Sequence, residues 1–313
     1  LKKTLLLTFL LNSLVVIAQK NISYYNWQWK LCDIKQARFV SYLQHSDSGW
    51  YRMDYFIGTN KLQMAGLYSD STCKNPNGSF YWFYPNNNLS SRGKYINGKK
   101  QGLWLNYLYN GTLGDSAVYD AGVLTGTQLA WYGNGYFQDS TVNNNDGTGV
   151  SVWWFDDGTL SAAGRLLNQK KNGRWKFFHK NSNIAAMEEY HLDTLINRIY
   201  YNEDGTALTD TTCTDKEATF IGGAEKWRKY LEHNLQFPSN YNIINAELVT
   251  IVIKACVNED GTVTDAYVDI PFHPDFDAEA LRVIKKSPKW LPAIKNNRRV
   301  KMNIRQPVSF GQY

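Results

Sequence analysis

Five glycines stand at a nearly fixed interval. Gly78, Gly102, Gly126, Gly149 and Gly173 are separated by 24, 24, 23 and 24 residues. Aromatic-rich segments follow them: Phe80 to Tyr84, Trp104 to Tyr109, Trp131-Tyr132, Trp153 to Phe155 and Trp175 to Phe178. Turn signals recur in step at Asn87-Asn88, Asn110-Gly111, Asn134-Gly135, Asp157-Gly158, Asn181-Ser182 and Asp204-Gly205. Degenerate units begin at Gly49-Trp50 and follow at Ile199-Tyr200-Tyr201. A period of this length confines the chain to an architecture in which one supersecondary unit stacks on the next. Asn-Gly and Asp-Gly supply the positive φ angles of tight hairpin turns. Each unit is therefore expected to be strand, turn, strand, with a second turn near Asn97-Gly98, Gly122, Asn145-Asp146 or Asn168-Gln169. A lone hairpin cannot bury its aromatic face, whereas stacked neighbours can. The regular Tyr and Trp positions are read as cross-strand packing pairs. An exposed ligand-binding stripe is the alternative reading.

The run Asn97-Gly98-Lys99-Lys100-Gln101-Gly102-Leu103-Trp104, followed by Tyr107, Tyr109, Asn110 and Gly111, resembles the MORN-type repeats of bacterial proteins. In particular it resembles the variant found in antitoxin-like proteins of the YwqK group. The resemblance spans residues 49 to 208, and the array is assigned to 49–210, after a segment at 19–48. Such repeats imply an extended β architecture used for protein or membrane contact, with no single activity attached.

From about Asp215 the rhythm changes. Ala224 to Asn234 reads as an amphipathic helix, with Trp227, Tyr230 and Leu231 on one side. Leu248 to Val257 reads as a buried strand, and Glu259-Asp260-Gly261 as a hairpin turn into a strand from Val263 to Ile270. Asp277 to Lys286 is a second expected helix, with Asp275 or Asp277 as its N-cap. Val300 to Phe310 is the expected last strand. The fold class is thus mainly β plus α+β, a repeated antiparallel β-hairpin array followed by a small α+β domain at 215–313.

Six landmarks of this second part resemble the C-terminal domain of TonB, the energy transducer of Gram-negative envelopes, in its Bacteroidetes-type form. They are Phe220 to Glu225, Leu235-Gln236-Phe237-Pro238, Asn258 to Val263, Asp277 to Val283, Ser287 to Ala293 and Gln306 to Phe310. The resemblance implies peptide capture, in which a receptor segment adds as a strand to the exposed edge of the last strand. Carried onto this sequence, the contact residues are Gln236, Phe237 and Pro238, with the edge at Arg298, Arg299, Val300, Lys301, Met302, Asn303 and Ile304. A helix stop packed on the core is the alternative reading of Phe237-Pro238. Strand addition is physically sound, because main-chain hydrogen bonds give affinity and alternate side chains give selectivity. The implied partner is an outer-membrane TonB-dependent receptor, through its plug or an N-terminal peptide. Inner-membrane motor proteins join it only where the N-terminus stays uncleaved. The Pro-rich periplasmic spacer of a full transducer has no counterpart in the sequence, and without an anchor such a protein binds receptors without energising them. An envelope scaffold, in which the repeats bind a protein, glycan or lipid partner, is the alternative function.

At the other end, Lys2 and Lys3 precede an apolar run from Leu5 to Ala18, interrupted by Thr8, Asn12 and Ser13. The run is shorter than the ~20 apolar residues of a membrane-spanning helix, and it ends in small residues. It reads as a secretory signal peptide over 1–18, cleaved after Ala18, which places the mature chain in the periplasm. Export argues against nucleic acid as a partner, although the net charge is +6 and nine cations, with no acid, follow Glu279. That basic run suits an acidic partner and faster encounter with it. The four cysteines, at 32, 73, 213 and 256, form neither a disulfide framework nor a metal motif. The five histidines lie apart, and neither a nucleophile elbow nor a phosphate loop occurs. The chain is read as a non-enzymatic binding protein that uses no cofactor and no metal.

Overall fold

A computed structural model describes residues 21–212, 215–241 and 248–311. The expected signal peptide and Cys213 lie outside the described residues. Fifteen strands form one antiparallel sheet in sequence order. They are β1 (Asn21–Tyr25), β2 (Phe39–Ser46), β3 (Gly49–Phe56), β4 (Lys61–Tyr68) and β5 (Pro76–Phe83). Next come β6 (Leu89–Ile96), β7 (Lys99–Tyr107), β8 (Leu113–Asp120), β9 (Val123–Trp131) and β10 (Phe137–Asn143). The last five are β11 (Thr148–Trp154), β12 (Leu160–Leu167), β13 (Lys170–Phe178), β14 (Ile184–His191) and β15 (Thr194–Tyr200).

The two ends of the sheet use different turns. Asn97-Gly98, Ala121-Gly122, Asn168-Gln169 and Leu192-Asp193 are two-residue loops with positive φ at both positions, such as 49° and 77° in the first. These are the type I′ turns whose twist suits a hairpin. Asn110-Gly111, Asn134-Gly135, Asp157-Gly158 and Asp204-Gly205, expected to form such turns, do something else. At Asn110-Gly111 only the glycine is left-handed, with φ 88°. The Asn110 side chain instead accepts the N–H of Thr112 at 3.0 Å, which holds Asn110 out of the left-handed region. Asp157 and Asp204 do the same to Thr159 and Thr206, at 2.9 and 2.8 Å. The loop is longer, and a register shift follows it in the strand pair, as at Asn106/Tyr107.

These longer loops are laddered across the repeat. Tyr84 Oη donates to the Tyr107 carbonyl at 2.7 Å, and Asn86 Nδ2 to the Tyr109 carbonyl at 2.9 Å. Tyr132 and Asn134 repeat this toward Trp154 and Asp156, at 2.9 and 2.7 Å. Within the sheet, aromatic rings lie over cross-strand glycines. A Cβ at Gly93 would stand 2.2 Å from Trp104, and one at Gly164 would stand 2.1 Å from Trp175. Trp104 and Trp175 are almost fully buried, so these aromatics are packing residues.

The second part contains helix α1 (Gly223–Asn234), strands β16 (Leu248–Val257) and β17 (Val263–Ile270), and helix α2 (Pro274–Lys285). The hairpin β18 (Ala293–Lys295) and β19 (Arg298–Val300) precedes the last strand, β20 (Met302–Gly311). The sheet order is β17-β16-β20. Helix α2 starts three residues before the expected Asp277. His273 caps it by accepting the Asp275 N–H, and Pro274 takes the first turn, where no N–H is needed. Asp277 instead accepts the Phe272 N–H at 2.8 Å. Phe276, Ala280 and Ile284 pack on Val249, Ile251 and Ile253 from one face of β16.

The other face of β16 meets the array. Val252 and Ile270 form one buried cluster with Phe39 and Phe56 of β2 and β3. At the far end, Asn297 Nδ2 reaches the Ala185 carbonyl of β14 at 3.3 Å. Twelve strand spacings of about 4.8 Å would separate β2 from β14 by about 58 Å in a flat sheet. A domain of this size is only about 30 Å across. The sheet therefore curves, with its Trp-bearing face turned toward the C-terminal domain and its other face outward.

Candidate partner-binding edge

Strand β20 pairs with β16 in unbroken register, from Met302 opposite Val257 to Gly311 opposite Leu248. Among the described residues no strand pairs with the opposite side of β20. Pro307 lies in this strand; it has no N–H to donate and suits an edge position. Val308 and Phe310 point into the core beneath α2, whereas Asn303, Arg305, Pro307 and Ser309 are exposed. Arg305 is tethered to Asp269 at 3.3 Å.

The edge expected over Arg298–Ile304 is not one strand. Asn296 and Asn297 both take positive φ, 50° and 61°, and make a tight turn. This turn folds Arg298–Val300 back on Ala293–Lys295. Lys301 is the break before β20. The sequence contained the signal, two Asn between short apolar-basic stretches, but the run reads more simply as a basic segment.

The hairpin is docked on the array. The Arg298 guanidinium is buried among Phe155, Phe177 and the carbonyls of Ser161 and Phe178, donating to the last at 2.7 Å. Burial pushes its pKa down to about 10. Asn296 Nδ2 donates to the buried Glu188 at 3.0 Å, and Glu188 also pairs with Arg198 at 3.3 Å. Lys301 reaches Asp156 at 2.6 Å, and Lys180 bridges Asp156 and Glu259 at 3.2 and 3.4 Å. Burial opposes ionisation of Asp156, but hydrogen bonds from Lys301 and Lys180 overcome it and hold its pKa low. Asp156, Glu188 and Ser161, the array side of this contact, carry no local sequence signal, because only the curvature of the sheet brings them to the hairpin.

The remaining candidate residues separate accordingly. Arg299 and Asn303 are exposed, while Val300, Met302 and Ile304 are half-buried. Met302 Sδ accepts the Ala218 N–H at 3.4 Å, so the start of the edge is flanked by the segment before α1. Gln236 is exposed, and its N–H donates to Glu279 at 2.7 Å. Phe237 packs edge-on against Phe276, with ring centroids 5.3 Å apart, and faces Phe310 at 6.5 Å. It belongs to the core at the end of the edge opposite Met302.

Residues 246–311 match the family model of the Gram-negative bacterial TonB protein C-terminal. The C-terminal domain is TonB-like. No curated protein matches the chain. The TonB family is transport-associated, acts at the envelope and works with outer-membrane receptors. The β17-β16-β20 sheet and α2 lie in the matched stretch, and the hairpin array precedes it. Among the described residues no helix is long and apolar enough to cross a membrane. No group of three His, Cys, Asp or Glu is placed to hold a metal ion among them either.

Proposed function

We propose that this protein binds an extended segment of an outer-membrane receptor along the outer side of β20, as an added strand, in the periplasm. The observation that carries this reading is the unpaired side of β20 in a TonB-like sheet whose central strand β16 packs under α2 on one face and against the array on the other. A strand added there gains main-chain hydrogen bonds, and its alternate side chains meet Asn303 and Arg305 on one face and Ile304 and Gln306 on the other. Gln236 and Arg299 flank the edge as exposed polar contacts, and Phe237-Pro238 shape its far end. Arg298 and Lys301 act through the array, by fixing the hairpin that launches β20. The array, read as MORN-type repeats, is a rigid mount for the domain.

The test is calorimetry of the full chain against N-terminal and plug peptides from receptors of the same organism. Each binding peptide is then N-methylated on one or the other alternate set of amides. Strand addition requires that one set abolishes binding and the other leaves it within about threefold. Equal tolerance of both sets removes the β20 reading. It would favour the scaffold alternative, in which the outward face of the array carries the partner contact.

A further inference from the structure

The outward face of the array holds an open depression of about 320 Å³ over β5, β6 and β7. Tyr81 stands directly opposite Arg92, and Arg92 opposite Leu105. Ser79 stands opposite Lys94, and Lys94 opposite Gln101. The left-handed Gly102 (φ 69°) places no side chain in the floor. Neither Arg92 nor Lys94 has an ion pair among the described residues. Asp120, at the end of β8, is held by the Gln101 amide at 3.1 Å. Tyr81 is 40% exposed and Leu103 is 57% exposed, so the walls are open to solvent.

The repeat supplies an internal comparison. Seventy-one residues on, the framework returns unchanged: Trp82, Gly93, Gly102 and Trp104 correspond to Trp153, Gly164, Gly173 and Trp175. Of the outward residues, Lys94 returns as another cation, Arg165, but the others differ. Tyr81, Arg92, Leu103 and Leu105 become Val152, Ala163, Arg174 and Lys176. Sheet packing therefore does not require an exposed Tyr beside paired cations at these positions.

We propose that this depression binds an acidic saccharide. Two cations spaced along one strand face complement carboxylates on successive sugar units, with Arg92 able to grip one bidentately. The exposed Tyr81 ring offers an apolar face to sugar C–H groups and a hydroxyl at its tip. The Ser79 hydroxyl adds a hydrogen-bonding group beside Lys94. The volume lies at the lower end of small-ligand sites, enough for one or two sugar units. The site lies on the opposite sheet face from the C-terminal domain and stands or falls independently of strand addition at β20.

The test uses the full chain and trigalacturonate as probe, with neutral galactotriose and inorganic phosphate as separate titrants. Trigalacturonate is expected to bind, galactotriose to bind at least tenfold more weakly, and phosphate not to compete at equal concentration. The double variant Arg92→Gln/Lys94→Gln is expected to lose at least tenfold in affinity. Tyr81→Ala loses several-fold, and Lys176→Ala, on the corresponding later unit, changes nothing. Unchanged far-UV circular dichroism and Tm establish that the variants fold, and these solvent-facing exchanges leave the core untouched. Absent binding, binding indifferent to both variants, or phosphate competing as well as the trisaccharide would each overturn the proposal.

Discussion

Arg298, from the TonB-like domain, donates its guanidinium to the carbonyl of Phe178, from the array, at 2.7 Å, with the rings of Phe155 and Phe177 beside it. One side chain thus joins the two parts of the molecule across a buried contact. Arg298→Ala leaves these carbonyls without their charged donor and opens a cavity. It is expected to destabilise the chain by about 2–4 kcal/mol. Urea unfolding measures the loss, and hydrogen exchange of β13 and β14 should report faster opening there than in β5 and β6.

The neighbouring pair Lys301–Asp156 is about one-third exposed on both sides, with side-chain accessibilities of 31% and 26%. Solvent screens such a pair, so a double-mutant cycle to Ala is expected to return only about 0.5–1 kcal/mol, falling with added salt. The cycle is read from urea midpoints at low and high ionic strength. The contrast with Arg298 separates the buried anchor from the partly exposed pair.

Gly93 lies beneath Trp104, where a Cβ would meet ring carbons at 2.2 Å. Gly93→Ala is expected to cost about 1–3 kcal/mol through displacement of the ring. Gly164→Ala, under Trp175, should behave alike. Thermal unfolding with tryptophan fluorescence reports both the stability and the displaced indole.

Asp277 is half-buried beside Phe272 and Arg38, and its loss of solvent pushes its pKa up to about 6. A raised value means that the folded state binds the proton more tightly than the unfolded chain. The ionised carboxyl therefore costs stability at neutral pH. The cost is absent below the ordinary value near 3.8 and grows as pH rises from about 4 to about 6. Asp277→Asn keeps an acceptor for the Phe272 N–H. It is expected to stabilise the chain at pH 7, by at most ~2–3 kcal/mol, and to lose that advantage near pH 4. Wild-type and variant urea curves across this range check the sign.

Much of the fold was legible because its signals are local. The glycine period and the aromatic blocks specify stacked hairpins, and the apolar run over Leu248–Val257 specifies a buried strand, the central one of the second domain. The turns were less legible. Asn110-Gly111 and Ala121-Gly122 swap the expected roles, because an Asn side chain that captures the N–H of Thr112 stabilises a longer loop. Helix α2 starts early because His273 and Pro274 supply a cap and a first turn that compete with Asp275 and Asp277. The edge was legible only in part. Whether Arg298 faces a partner or its own chain depends on the curvature of fifteen strands, which no window of sequence encodes.

The most direct test of receptor capture is residue-resolved amide exchange of the full chain with and without a receptor peptide that binds it. The account predicts new protection on alternate N–H groups between Met302 and Gly311, with little change in β16, already paired on both sides. Protection confined to the outward face of β5–β7, or spread without alternation along β20, would contradict it.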